Sequence, residues 1–476
     1  MRIFDEAMRI NGERRRRSSV IEVFDPFSAR CIGTVPRAEI RDVRDAIDAA
    51  AAYRPHLSRY QRSEILGQAA AEVVARTREI AELITLESGL SLQDSLYEAG
   101  RVRDVLLFGS RAALVDDGEI FSCDITPHGR ERRVYTQRSP LLGVITAITP
   151  FNHPMNQVAH KVVPSIATNN RLVLKPSEKV PLSALLFADI LYEAGLPPPM
   201  FQVVTGEPAE IALELLTHPS VELITFTGGA SIGKQIAQVA GYRRMVLELG
   251  GNDPLIVMDD ADLEEAATLA ASGSYKNSGQ RCTAVKRILA HESIADDFVD
   301  RLVAKTRAWS FGNPGDPSIE MGTVISERAA MLFESRVNTA MRQGAKLLVG
   351  NDRDGALYSP TVLDHVRPEM ELVREETFGP VSPVIRFSDL DEAIRIANGT
   401  AFGLSSSVCT NRLDVVTKLV NELHVGTINV REVPGFRLEL TPFGGIKDSG
   451  LGYKEGVVEA MKSFTTIKTY SLPWPT

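Results

Sequence analysis

Apolar side chains follow two rhythms along this chain, and the changes between them mark its regions. From Gln61 to Ser88 they fall at Ile65, Leu66, Ala69, Val73, Ile80, Leu83 and Ile84, which predicts one long amphipathic helix. From Phe121 to Arg138 polar and apolar residues alternate around Pro127 and Gly129, which predicts a hairpin projecting from the body. Between Leu141 and Gly241 the short runs GVITAI, RLVLKP, FQVVTG and LITFTG each precede a stretch of helical spacing such as PLSALLFADILYEAG. Buried strands alternating with helices predict a parallel, doubly wound α/β sheet, whose ligands bind at the carboxyl ends of its strands. A second alternation starts after Glu248 with PLIVM and an acidic helix from Asp260, and runs to about Leu440. The tail SFTTIKTYSLPWP, with Phe464, Ile467 and Tyr470 alternating, reads as a terminal strand needing a partner, another subunit being one candidate.

At 476 residues the chain is long for one core, so two sizeable domains and a small accessory element are expected. A net charge of -8 argues against nucleic acid as the main partner. No apolar stretch is long enough to span a membrane, and the N-terminal segment carries charges where a signal peptide needs apolar residues, so a cytoplasmic location is expected. Cys31, Cys123, Cys282 and Cys409 lie far apart, with no short-spaced Cys/His cluster, and no metal site is expected. At least one of these thiols is free to be a nucleophile. The one dense run of like charge, Arg14 to Arg17, follows an Asn11-Gly12 turn. It reads as a solvated edge strand in preference to an anion-binding arm.

Two segments invite chemistry. In NSGQRCTAVKR, Asn277 to Arg287, Cys282 follows a glycine-containing turn that can expose a thiol, although a lone cysteine is more often a small buried hydrophobe. In LELGGNDP, Glu248 ends an apolar strand and precedes Gly250 and Gly251. A carboxylate there is a capped or salt-bridged structural group or a working acid, and the glycine pair favours close approach by a ligand.

Asn277, Gly279, Gln280 and Cys282 fit the cysteine signature of the aldehyde dehydrogenase superfamily, and LELGG fits its glutamate signature. The resemblance spans nearly the whole chain through PFNHP from Pro150, KPSE from Lys175, FTGG from Phe226, EETFGP from Glu375 and PFGGIKDSGLG from Pro442. It implies two doubly wound domains. The NAD-binding domain would comprise residues 1–117 and 141–247, and the catalytic domain 248–440. Residues 118–140 and 463–476 would form a small β element bridging subunits of a homodimer or homotetramer.

The same resemblance implies Cys282 as nucleophile, forming a thiohemiacetal and then a thioester, with Asn152 and the Cys282 backbone N–H holding the oxyanion. Glu248 becomes the base for thioester hydrolysis, which argues against the coenzyme A-acylating branch. The cofactor is NAD. Its implied contacts are Thr149, Phe151, Lys175, Glu178, Phe226, Thr227, Gly228, Gly229, Gly233, Leu249, Glu376 and Phe378. Gly228 to Gly233 would open a helix for the pyrophosphate, with Gly229 where family members commonly carry serine. Glu178 would accept from a ribose 2′-hydroxyl and repel a 2′-phosphate, favouring NAD over NADP.

Around these signatures the chain is basic or polar where general family members are aromatic: His153, His160, Arg281, Arg437 and Arg101 suit an anionic substrate. NSGQRCTAVKR resembles two branches with anionic substrates, the non-phosphorylating glyceraldehyde-3-phosphate dehydrogenases and the phosphonoacetaldehyde dehydrogenases. ELGGNDP, EVPGFR and GGIKDSGLGYKEGVVEAMKSFT are similar to the second. The expected reaction is oxidation of phosphonoacetaldehyde to phosphonoacetate in phosphonate catabolism. Glyceraldehyde 3-phosphate and succinate semialdehyde are the alternatives, and a catalytically silent structural member is the alternative outside enzymes.

Overall fold

Two seven-stranded sheets covered by helices organise the chain, and the computed structural model describes residues 3–115 and 118–475. Residues 1, 2, 116, 117 and 476, and with them the expected boundary at 117, lie outside the described residues.

In the first sheet the order is Arg244–Glu248, Val221–Thr227, Val144–Ile148, Leu172–Lys175, Phe201–Val203, Met8–Ile10 and Glu13–Arg15. The first five are parallel, and burial of nearly all positions in the four strands from Val221–Thr227 to Phe201–Val203 explains why they read as apolar runs. From Val144–Ile148 the chain first builds outward to Phe201–Val203 and then returns to the other side with Val221–Thr227. The crevice at such a reversal is where open α/β sheets bind ligands. Register gathers the relevant strand ends on one edge: Ile148 lies opposite both Lys175 and Phe226, and Thr227 lies opposite Glu248.

The second sheet runs Lys346–Val349, Thr361–Asp364, Val381–Phe387, Val285–His291, Asp253–Val257, Ser405–Cys409 and Thr427–Val430. Only Lys346–Val349 is antiparallel to its neighbour. The first sheet ends on Glu248 and the second begins at Asp253, so a four-residue connection carries the chain from one to the other.

Three expectations change or sharpen. The single helix expected over Gln61 to Ser88 is two, Arg59–Ala75 and Thr77–Ser88, broken at Arg76 with φ -106 and ψ 14. The Thr77 hydroxyl donates back to the carbonyls of Val73 and Val74, both at 2.9 Å, and so competes for the acceptors that would continue the helix. The terminal strand Thr465–Pro473 finds its partner within its own chain. It pairs antiparallel with Arg132–Pro140 from Thr465 opposite Pro140 to Pro473 opposite Arg132, and Ile120–Ser122 completes a three-stranded sheet. Tyr470 stacks on Tyr135 with centroids 5.3 Å apart.

The Arg14 to Arg17 run lies on and after the edge strand Glu13–Arg15, as an edge reading requires. Every one of its guanidiniums meets a carboxylate: Arg14 with Asp189 at 2.8 Å, Arg15 with Asp45 at 2.5 Å, Arg16 with Asp5 at 2.6 Å, and Arg17 with Asp42. Asp42 is buried at the start of helix Ile40–Ala52 and also accepts from the Glu39 backbone N–H at 2.9 Å.

Candidate active site

The cysteine turn is built from three successive left-handed residues, Asn277, Ser278 and Gly279, with φ of 59, 53 and 68. A side chain at Gly279 would put its Cβ 2.3 Å from the Gly379 carbonyl, so the turn packs backbone to backbone against the EETFGP loop. Two amides then lock the turn to the Asn152 loop. Asn277 Nδ2 donates to the Asn152 carbonyl and Asn152 Nδ2 donates to the Gln280 carbonyl, both at 2.9 Å. Asn152 therefore already has an N–H directed at the residue two before Cys282, which is itself half-buried.

The glycine pair after Glu248 admits close approach by other segments of the chain. A Cβ on Gly251 would lie 2.2 Å from the Cys282 carbonyl oxygen, and one on Gly250 would lie 2.2 Å from Glu376 Oε2. These two glycines let the cysteine loop and the Glu376 arm close on the strand that carries Glu248.

Glu248 is buried, and neither carboxylate oxygen has a hydrogen-bond partner among the described residues. Burial and then the charge of Glu455 push its pKa well above the ordinary carboxylate range, against Lys161 and Arg437. Glu455 is the ionised member of the pair: despite burial, Lys161, 2.7 Å away, holds it below the usual range. Burial and the nearby Asp253 push the Cys282 thiol up to about 12, while Arg437 pulls the other way. Cys282 thus holds its proton near neutrality and Glu248 is shifted toward its protonated form, and each works as nucleophile or base only once deprotonated.

Most of the expected cofactor residues lie at the carboxyl edge of the first sheet, with Glu376 and Phe378 brought in from the segment before strand Val381–Phe387 of the second. Thr149 and Phe151 follow Val144–Ile148, Lys175 ends its strand with Glu178 2.9 Å away, and Thr227 ends Val221–Thr227. Gly228 and Gly229 lead into helix Ala230–Ala240. Among the described residues, buried Thr149 Oγ1 and Thr227 Oγ1 have no hydrogen-bond partner and no side chain caps the helix start, so the edge offers polar groups of the kind a dinucleotide engages. Space is open at Gly229, where a Cβ would meet nothing within 4 Å. Gly233 packs on Leu249, whose side chain a Cβ there would approach to 2.4 Å. Phe226 departs from expectation: it belongs to the hydrophobic core with its ring under Gly228, so it supports the turn and offers no free face. Glu376 accepts from the Gly251 N–H at 3.1 Å, and Phe378 sits edge-on to Phe151 with centroids 5.9 Å apart.

A cavity of about 710 Å³ opens on Cys282. Arg101, His153, Arg281 and Arg437 line it, together with Arg103, Lys276, Asp94, Asp104, Glu432 and Glu439. His160 does not. It lies fully buried behind the wall, its Nε2 2.5 Å from Glu439 Oε2, so its role as a direct substrate contact is corrected to one in the supporting shell. Burial pushes the His160 pKa down, against the pull of Glu439. Arg281 donates to the carbonyls of Ser272 and Gly273 at 3.3 and 2.8 Å, and Arg437 lies over the Phe443 ring at 3.9 Å. Arg281 Nε and Arg437 Nη1 are buried with no hydrogen-bond partner among the described residues.

Sequence reasoning missed several residues here. Glu98 accepts from the Met155 and Asn156 N–H groups at 2.9 Å each and so fixes the start of helix Asn156–Ala167, directly after Asn152 and His153. Buried Lys286 donates to the Gly279 carbonyl at 2.7 Å and lies 4.8 Å from the Phe378 ring centroid. Burial lowers its pKa to about 8 against the pull of Glu376. Lys161 was legible as a charge amid the apolar helix HKVVPSIA, whereas Glu455, Glu439 and Glu98 come from distant segments with no local mark.

With this geometry in place, likeness to known proteins gives the class. The model of the aldehyde dehydrogenase family matches residues 13–470, and the chain belongs to that family of oxidoreductases acting on aldehydes. It is 37% identical to 3-sulfolactaldehyde dehydrogenase of Priestia aryabhattai, over 96% of this chain and 95% of the relative. It is 38% identical to sulfoacetaldehyde dehydrogenase of Neptuniibacter caesariensis, over 86% and 89%. Its structure is similar to NADP-dependent glyceraldehyde-3-phosphate dehydrogenase from Bacillus halodurans, solved in complex with NADP, with a TM-score of 0.95, 35% identity and coverage of 99% and 100%.

Proposed function

We propose that this protein oxidises a small anionic aldehyde to its carboxylate with NAD, through Cys282, and that phosphonoacetaldehyde leads the candidate substrates. The observation that carries the reading is the pair of arginines, Arg281 and Arg437, that line the cavity of Cys282 and each keep a buried N–H group with no hydrogen-bond partner among the described residues. A buried cation short of acceptors is costly, and an anion in the cavity supplies the missing charge.

In this reading the Cys282 sulfur, once deprotonated, attacks the aldehyde carbon, and the Asn152 amide with the Cys282 backbone N–H holds the oxyanion. NAD, when bound along the edge that carries Thr149, Lys175, Glu178 and Thr227, would supply the acceptor for the hydride that leaves the carbon. Asn277 and Lys286 keep the cysteine turn in place through the Asn152 and Gly279 carbonyls. Glu248, when ionised, removes a proton from the water that hydrolyses the thioester. Because its pKa is raised, the ionised fraction grows with pH across that raised value, and deacylation accelerates in the same direction.

A sulfonate head group is the second reading, favoured by likeness to enzymes named for 3-sulfolactaldehyde and sulfoacetaldehyde. For the cofactor, Glu178 is the argument for NAD. Against burial, Lys175 holds its carboxyl below the usual range, and an ionised carboxylate repels a 2′-phosphate. A homodimer or homotetramer is supported by the three-stranded sheet, which leaves Ile467, Tyr470 and Leu472 exposed. NADH absorbance tests the whole reading across phosphonoacetaldehyde, sulfoacetaldehyde, glyceraldehyde 3-phosphate, succinate semialdehyde and propionaldehyde. The anionic aldehydes should lead propionaldehyde in kcat/KM by roughly 10-fold or more. Equal efficiency for propionaldehyde would overturn it.

A further inference from the structure

An acid sits in the wall of this basic cavity. Glu439 is only 6% exposed, and its carboxylate takes Arg101 Nε on one oxygen and His160 Nε2 on the other, with Arg437 3.9 Å away. The segment is anchored because the Glu439 carbonyl accepts from the Val457 N–H at 3.1 Å. Against burial, His160, Arg101 and Arg437 keep the carboxyl ionised. The residues lining the cavity include five cationic and four acidic side chains, and Arg103 meets Asp104 at 3.3 Å. Arg281 has Asp94 as its principal electrostatic counterweight. Glu439 therefore decides whether the end of the cavity around Arg101, Arg281 and Arg437 has a surplus of one positive charge or of two.

We infer that Glu439 is a specificity-determining residue: by cancelling one guanidinium charge it sets how the cavity weighs a singly charged head group against a doubly charged one. The inference rests on the anion-site reading above and goes beyond it, because it assigns discrimination among anions to a residue that is itself acidic. Sulfoacetaldehyde and phosphonoacetaldehyde are nearly matched in length and in head-group geometry. At a pH above the second ionisation of the phosphonate they differ mainly by one charge.

The test is the ratio of kcat/KM for phosphonoacetaldehyde over sulfoacetaldehyde at that pH, in wild-type enzyme, in E439Q, in R101M and in the double variant R101M/E439Q. E439Q should raise the ratio on the order of tenfold, R101M should lower it by a similar factor, and the double variant should return it near the wild-type value. A general folding defect depresses both substrates and leaves the ratio unmoved, and R101M gives a second reading from the opposite sign. A ratio unchanged in both single variants overturns the inference while the anion-site reading stands. Wild-type enzyme that oxidises propionaldehyde as well as either anion overturns the anion-site reading itself.

Discussion

Arg14 to Arg17 and the cavity arginines Arg101, Arg281 and Arg437 carry the same charge in opposite circumstances. Each member of the surface run finds a carboxylate on the helices or strands beside it, and the run is spent on holding the edge of the first sheet. In the cavity, Arg101 has Glu439 and Arg437 shares it only at 3.9 Å while lying over an aromatic ring, Arg281 rests on two main-chain carbonyls, and Arg281 Nε and Arg437 Nη1 have no hydrogen-bond partner among the described residues. Density of charge along a sequence thus says little about binding. A shortage of acceptors in a cavity says more, because only there does an incoming anion improve the balance.

The comparison fails at its root unless chemistry takes place in that cavity. The largest effect is expected for Cys282→Ala, which should lose about 10⁴-fold or more in turnover while NAD binding, followed by calorimetry, is retained. Substantial turnover in this variant would remove the cavity from the mechanism. Glu248→Gln should lower steady-state turnover by roughly 10² to 10³-fold and leave a rapid burst of NADH formation. Its rate should also rise less with pH than that of the wild type, since the group whose ionisation drives the rise is gone. Equal loss of burst and steady state would show that Glu248 does not act chiefly in deacylation.

On the surface side, Arg17→Ala leaves the buried Asp42 short of a charged partner and should cost about 1–3 kcal/mol in urea unfolding. Arg14→Ala should stay within about 0.5 kcal/mol. The sign with pH follows from Asp42. Although burial opposes it, Arg17, the Glu39 N–H and Arg15 hold its pKa below 3.8, so its contribution is complete above that value and is lost as pH falls through the lowered one. The cost of Arg17→Ala should therefore shrink on acidification, and a pH-independent cost would contradict this account. The smallest effect is expected at Glu178, an acid with a fixed cation beside it. Glu178→Ala should raise NADP use relative to NAD by about fivefold to tenfold. A wild type that already prefers NADP would contradict that assignment.

Much of this was legible in the sequence because it is written locally. The alternation of apolar runs and helical stretches marked both sheets, and Cys282, Glu248 and Asn152 each stand in a short recognisable segment. What was not legible depends on contacts across the chain. Helical spacing ran straight through Arg76, where the Thr77 hydroxyl helps to end the first helix. Periodicity gave the terminal strand its alternation but not its partner, which lies more than three hundred residues earlier at Arg132–Pro140. His160 lies seven residues past His153 in the same basic neighbourhood, yet burial puts it behind Glu439, a residue that the basic pattern around it concealed.

The most direct test of the central claim compares kcat/KM for phosphonoacetaldehyde and propionaldehyde in wild-type enzyme, Arg437→Ala, Arg281→Ala and the surface control Arg14→Ala. Charge-assisted hydrogen bonds contribute about 1.5 to 3 kcal/mol each, so either cavity variant should lose roughly 10 to 150-fold on the anionic substrate and far less on the neutral one. Arg14→Ala should match the wild type on both. If the cavity variants slow the two aldehydes by the same factor, Arg281 and Arg437 are structural in the same sense as the surface run, and the anionic substrate loses its physical basis.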